Sequence, residues 1–279
     1  MAWDKGLAAL RKVSPVRPGK GGWNYHAAAW PPAAQRLPAG GNRVLLAEDN
    51  PVNLRMIKHL LERQGLQVWT AQNGQEALEL ASRQAFDLVL MDVQMPGMDG
   101  LEASAQLRAR FAGSGRRLPI VALTALEQQK DLEACLAAGM DDFLGKPLQP
   151  ERLRAVLERY LPGQLKTVRA VPHRGGDSTL QRKLIAVFLQ DYPQQLQQLQ
   201  KALQAQDETA LQRGAHAVKG TLGVFRFEAG MAAALALEQF SSQAQAWGEA
   251  AALMAQLEAL VAQFVASLPT DSAAAGKQP

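Results

Sequence analysis

The stretch AHAVKGTLGVF, Ala215 to Phe225, sets a histidine and a lysine one helical turn apart, with two glycines close behind. Neutral imidazole is a nucleophile for phosphoryl groups, and a nearby ammonium can hold the phosphate. Plotted at 100° per residue, Leu211, Ala215, Val218, Leu222 and Phe225 share an apolar arc. His216, Lys219, Gly220 and Gly223 share the opposite one. Glycine inside a helix is less favourable than alanine by about 1 kcal/mol, so two glycines beside an imidazole suggest a face cleared for close approach. The phase predicts a histidine pointing to solvent. A second set of chemical groups ends a series of short apolar runs. Glu48 and Asp49 follow RVLLA, Asp92 ends FDLVLMD, Thr124 ends LPIVALT, and Lys146 follows DFLG. Three crowded carboxylates raise one another's pKa. A hard divalent cation relieves that repulsion, and Mg²⁺ suits oxygen ligands with waters retained. Asp92 is then placed to attack a phosphoryl group, with the metal and Lys146 neutralising its oxygens and Thr124 donating a hydrogen bond.

These groups come together only if the runs are strands of one sheet. From Arg43 the pattern alternates: RVLLA, QVWTA, FDLVLMD, LPIVALT and DFLG read as strands. NPVNLRMIKHLLERQG, GQEALELASRQ, GLEASAQLRARF, LEQQKDLEACLAAG and PERLRAVLERYL read as the helices between and after them. Asn50 caps the first helix, Pro51 suits its first turn and Gly65 its end. Near-continuous apolar runs fit a parallel sheet covered on both faces. Five β/α units predict a doubly wound α/β domain over residues 43–162, whose ligands gather at the carboxyl ends of the strands. Residues 163–177 read as a linker. Four amphipathic stretches over 178–268 then predict an antiparallel four-helix bundle, and 269–279 a flexible tail.

Composition narrows the function. The chain has 279 residues, one cysteine and a formal charge of +4. The basicity sits in residues 1–42, an irregular arm where six cations face Asp4 alone for a net +5, leaving −1 on the remainder. A folded surface that reads nucleic acid is therefore not expected. Cys135 alone excludes an internal disulfide framework and reads as packing. No secretory signal is evident, and no apolar run approaching the ~18 residues of a membrane span was expected. A cytoplasmic protein without membrane partners is the expectation.

A dehalogenase-type phosphatase also uses a strand-end aspartate, but it wants a second aspartate two residues on, where this chain has Gln94. The motifs LLAEDNPVN, LVLMDVQMPGMDG, VALTA and DDFLGKP resemble response-regulator receiver domains throughout residues 43–162. That resemblance implies a sheet of order 2-1-3-4-5. It implies Asp92 as phosphoacceptor and Glu48, Asp49, Asp92 and the Gln94 carbonyl as Mg²⁺ ligands. Thr124 and Phe143 become a switch pair, Lys146 a phosphate-binding cation, and the bond before Pro147 is expected to be cis. RGAHAVKGTLG, with LALE around Glu238, resembles histidine-phosphotransfer (HPt) domains. It implies His216 as a second phosphoacceptor, Lys219 beside it, and Gly220 and Gly223 as the docking face. Arg226 stands where that family often has glycine, and Gly230 where leucine is common.

Together these imply a phosphorelay protein, loaded by an upstream histidine kinase and discharging to a downstream receiver. No D-x-G-x-G phosphate loop of an ATP-binding kinase is found. The alternatives are the C-terminal part of a hybrid sensor kinase without its kinase core, and a phosphorylation-controlled binding switch.

Overall fold

The structure is a computed structural model that describes residues 42–112, 117–124, 129–166, 178–242 and 246–269. The arm up to residue 41, residues 167–177 of the expected linker, the tail from 270, His26 and His173 lie outside the described residues.

Strands β1 (Arg43–Ala47), β2 (Gln67–Ala71), β3 (Leu88–Asp92), β4 (Ile120–Thr124) and β5 (Asp142–Gly145) form one parallel sheet. Its order is β2-β1-β3-β4-β5, as the resemblance implies. Every residue of β3 and β4 is buried. Side chains alternate across a strand, and the strands divide their residues accordingly. Val44, Leu46, Leu88 and Leu90 pack with Ile57 and Leu61 of α1 (Pro51–Arg63) and with Leu153 and Leu157 of α5 (Pro150–Tyr160). Leu45, Ala47, Val89 and Met91 face the opposite side. There they meet α2 (Gly74–Arg83), α3 (Gly100–Phe111) and α4 (Gln129–Ala137), whose Cys135 is fully buried in that core. Asn50 caps α1 as expected, its Oδ1 accepting from the N–H groups of Val52 and Asn53 at 3.1 Å each. Residues 163–166, expected to open the linker, stay on this domain. The Lys166 N–H donates to the Gln64 carbonyl at 2.8 Å, and Leu165 packs on the α1/α5 side of the sheet.

Four further helices share a second apolar core: α6 (Ser178–Gln204), α7 (Glu208–Val224), α8 (Glu228–Glu238) and α9 (Trp247–Ser267). Phe188, Leu211, Ala215, Val218, Leu222, Leu237, Phe240 and Leu257 are at its centre. The apolar arc read along α7 is the arc buried here. Two departures from the HPt pattern find a local reason at the α7–α8 corner. Arg226 adopts φ +55, the left-handed region that glycine enters without strain. A Cβ on Gly230 would lie 2.4 Å from Cδ1 of Phe227, so this phenylalanine ring fills the space a leucine side chain would need.

Among the described residues one helix, α9, is long and apolar enough to cross a membrane, where none was expected. Its alanines raise its hydropathy, while Ala250, Met254, Leu257 and Val261 pack into the helical core. Val52 of α1, from the sheet domain, is fully buried in this same helical core, and Met56 packs against it.

Candidate functional site

The sheet order puts the ends of β1 and β3 side by side, so Glu48, Asp49 and Asp92 converge. Each of the three offers a carboxylate oxygen within 4.8 Å of the others. Glu48 is 1% and Asp92 2% exposed. Lys146 reaches them from the far side. Its backbone N–H donates to the Thr124 carbonyl at 2.7 Å, which fixes the residue at the end of β4. Its Nζ lies 2.6 Å from Asp92 Oδ2 and 2.8 Å from Glu48 Oε2. The peptide bond between Lys146 and Pro147 is cis. Asn53 Nδ2 donates to Glu48 Oε1 at 3.1 Å, and the Gln94 N–H to Asp92 Oδ1 at 3.2 Å. Thr124 is buried at the end of β4, while Phe143, half-buried on β5, packs against the α2/α3/α4 side of the sheet.

The electrostatics follow from one ammonium among three carboxylates. Burial, with Glu48 adding to it, pushes the Asp92 carboxyl well above the usual range, against the pull of Lys146. Burial raises Asp49 to about 6, Glu48 pushes the same way, and Lys146 and His216 oppose it. Lys146 is held charged: burial disfavours its ammonium, but Glu48 and Asp92 outweigh that and raise its pKa. A single cation leaves the cluster electron-rich, so the donor set fits a further hard cation.

On α7, His216 Nδ1 and Glu238 Oε1 are 2.7 Å apart, and Lys219 Nζ is 2.5 Å from Glu238 Oε2. Burial works against a charge on Glu238, but the bonds from His216 and Lys219 outweigh it and hold its carboxyl below the ordinary value. An ionised carboxylate accepts only, so Nδ1 carries the proton, and in the neutral ring Nε2 keeps its lone pair.

The solvent-facing histidine expected from the helical phase is corrected by the structure. The His216 side chain is 14% and Lys219 11% exposed, because the sheet domain lies over this face. Asn50 Nδ2 donates to Thr221 Oγ1 at 2.6 Å and to the Ala217 carbonyl at 3.1 Å. A Cβ on Gly220 would lie 3.1 Å from Asn53 Nδ2, and one on Gly223 would lie 3.6 Å from Pro147 Cβ. Lys146, Pro147, Asn53, His216, Lys219 and Gly220 line a cavity of about 30 Å³ between the two domains. The structure thus brings both sets of chemical groups to one junction. Sequence reading missed Thr221, the second bond of Asn50, and Asn53. Residues 50 and 221 stand 171 apart, so no local spacing signals their pairing.

Residues 44–158 match the response regulator receiver domain and residues 183–267 the Hpt domain, together most of the chain. The chain belongs to the response-regulator receiver family, with an Hpt domain following: two phosphotransfer modules of two-component signalling. It is 44% identical over 131 residues to the sensor protein GacS of Pseudomonas syringae pv. syringae, covering 47% of this chain and 14% of GacS. It is 42% identical over 120 residues to the histidine-protein kinase BarA of Shigella flexneri, covering 43% and 13%. Among solved structures, the receiver domain of the sensor histidine kinase PA1611 from Pseudomonas aeruginosa PAO1 is 43% identical, with a TM-score of 0.40, over 43% of this chain and 97% of that one. That structure is described with a magnesium ion coordinated in its active-site cleft. The chain spans about one seventh of the length of the curated relatives it matches.

Proposed function

We propose that this chain relays a phosphoryl group through Asp92 and His216, without binding ATP itself. The observation that carries the reading is Lys146 Nζ bridging Asp92 and Glu48 inside a three-carboxylate cluster, with an oriented imidazole at the same junction. The receiver unit is taken as 43–162 and the phosphotransfer unit as 178–268. The donor to Asp92 is a phosphohistidine of an upstream kinase, and the acceptor from His216 is an aspartate of a downstream receiver. Neither nucleic acid nor membrane enters the scheme, and the cytoplasm is its compartment.

Asp92 is the nucleophile: one carboxylate oxygen bonds to phosphorus as the donor imidazole leaves with its electron pair. Lys146 and the Thr124 hydroxyl neutralise and hold phosphoryl oxygens. Glu48, Asp49, Asp92 and the Gln94 carbonyl would hold Mg²⁺, which supplies charge neutralisation at the transferring group. Phe143 turns with Thr124 as the phosphoryl group is sensed. Glu238 fixes the His216 tautomer, Lys219 meets the phosphate, and Gly220 and Gly223 leave room for a receiver.

The test uses acetyl phosphate with Mg²⁺ to label the chain, and the chemical lability of the label to assign it. Acyl phosphates are lost in base, phosphohistidine in acid. The parent chain should acquire both labels, Asp92→Ala neither, and His216→Ala only the base-labile one. An acid-labile label that persists without His216 would remove the helical domain from the relay.

A further inference from the structure

The face that carries His216 packs against the domain that carries Asp92, and the contact is continuous with both sites. Val52, at the start of α1, is fully buried in the core of the helical domain. Asn50 uses both ends of its amide: Oδ1 caps α1, while Nδ2 crosses to Thr221 Oγ1 and the Ala217 carbonyl on α7. Thr221 is fully buried and sits five residues after His216. Asn53 joins the two sites directly, since its Nδ2 lies against Gly220 and donates to Glu48 of the carboxylate cluster. Between Lys146 and His216 remains a cavity of about 30 Å³, room for about two water molecules at the usual requirement.

We infer that Asp92 and His216 of one chain are a cis pair: the docked junction is the transfer complex, held by Asn50 on Thr221, and while it is closed His216 is shut to every other receiver. This rests on the relay reading above and adds to it which receiver His216 serves first. In the junction the Nε2 lone pair of His216 attacks the phosphorus of the acyl phosphate on Asp92. The phosphorus–oxygen bond to Asp92 breaks, and its electron pair returns to the carboxylate. The Nδ1 proton stays in its hydrogen bond to Glu238, which meets the positive charge the ring acquires. Handing the group on to a second receiver then requires the sheet domain to lift off α7, because both need the face cleared by Gly220 and Gly223.

Order of reaction decides it. The full-length chain is labelled on Asp92 with acetyl phosphate and Mg²⁺, freed of donor, and the acid-labile label is followed over a hundredfold range of protein concentration. A cis pair gives one rate constant throughout. A rate that scales with concentration overturns the proposal and leaves the relay intact, whereas no acid-labile label at any concentration sinks the relay itself. An equimolar mixture of Asp92→Ala and His216→Ala chains at micromolar concentration should transfer at least a hundredfold more slowly than the parent, since tethering supplies an effective concentration in the millimolar range. Equal rates contradict the proposal. Thr221→Val keeps the volume but removes the acceptor of the shorter Asn50 bond, leaving Nδ2 only the Ala217 carbonyl, and should slow transfer about tenfold. Closure of the face is read by diethylpyrocarbonate modification of His216. Val52→Glu, which puts a charge in a buried seat, should speed it about tenfold, and an unchanged rate refutes the closed face.

Discussion

Replacing Glu238 by alanine removes the group that decides which imidazole nitrogen of His216 carries the proton, and so which one is open to phosphorus in the proposed transfer. The carboxylate lies 2.7 Å from Nδ1, and its other oxygen engages Lys219. Hydrogen bonds to charged groups contribute about 1.5–3 kcal/mol. The Glu238 side chain is 19% exposed, so solvent screening argues for the lower half of that range. During transfer the ring becomes cationic, and the bond strengthens at the moment the barrier is crossed. At about 1.4 kcal/mol per tenfold, a loss near 1.5–2 kcal/mol slows transfer from Asp92 to His216 by roughly ten- to thirtyfold. The assay is rapid quench of the labelled chain, scored by acid lability, beside nitrogen NMR of the imidazole. The parent should show the proton on Nδ1, and Glu238→Ala a mixture of tautomers. Glu238→Gln keeps an acceptor and loses the charge, so it should fall between the two. Loading of Asp92 from acetyl phosphate should be unchanged, which controls for damage to the receiver. A Glu238→Ala chain that transfers within twofold of the parent, with its proton still on Nδ1, would refute this role.

Three further outcomes are expected. Asp49 is raised to about 6, so the metal-free fold holds its proton more tightly than the unfolded chain does. This carboxyl therefore weakens the fold as pH rises from about 4 to 6. Mg²⁺ must displace that proton, so calorimetry should show affinity falling as pH drops through about 6, with proton release there and almost none at pH 8; an affinity flat from pH 5 to 8 would contradict it. A Cβ on Gly100 would sit 2.0 Å from the Asp92 carbonyl oxygen, a backbone atom with no flexible side chain to yield. Gly100→Ala should therefore cost about 1–3 kcal/mol in thermal unfolding and reduce acetyl phosphate labelling of Asp92 at least tenfold; parent-level labelling counts against the geometry. Asp141 is buried and holds Arg108, Arg117 at 2.7 Å and the Ile120 N–H at 2.8 Å. Asp141→Ala strands Arg108 and should cost the receiver about 3–5 kcal/mol in urea unfolding; a loss below 1 kcal/mol would show that the network stabilises little.

The elements and the chemical groups were legible along the chain. Strand-length apolar runs ending in Glu48, Asp49, Asp92 and Thr124, each followed by a helix, leave little freedom once a parallel sheet forms. Those ends must lie along one edge. The apolar arc of Leu211, Ala215, Val218 and Leu222 likewise fixed which side of α7 is core, and His216 fell on the other side. Periodicity assigns a face but does not say what covers it. That the receiver of the same chain covers the His216 face follows from packing alone, because the deciding contacts join residues far apart in sequence. Asn50 meets Thr221 and Asn53 meets Gly220 through the packing of α1 on α7. Glu238 reaches His216 and Lys219 only because α8 folds back on α7 at the Arg226 corner. Single residue types at long separation carry no local pattern, so their pairing is written in the fold and not in the spacing.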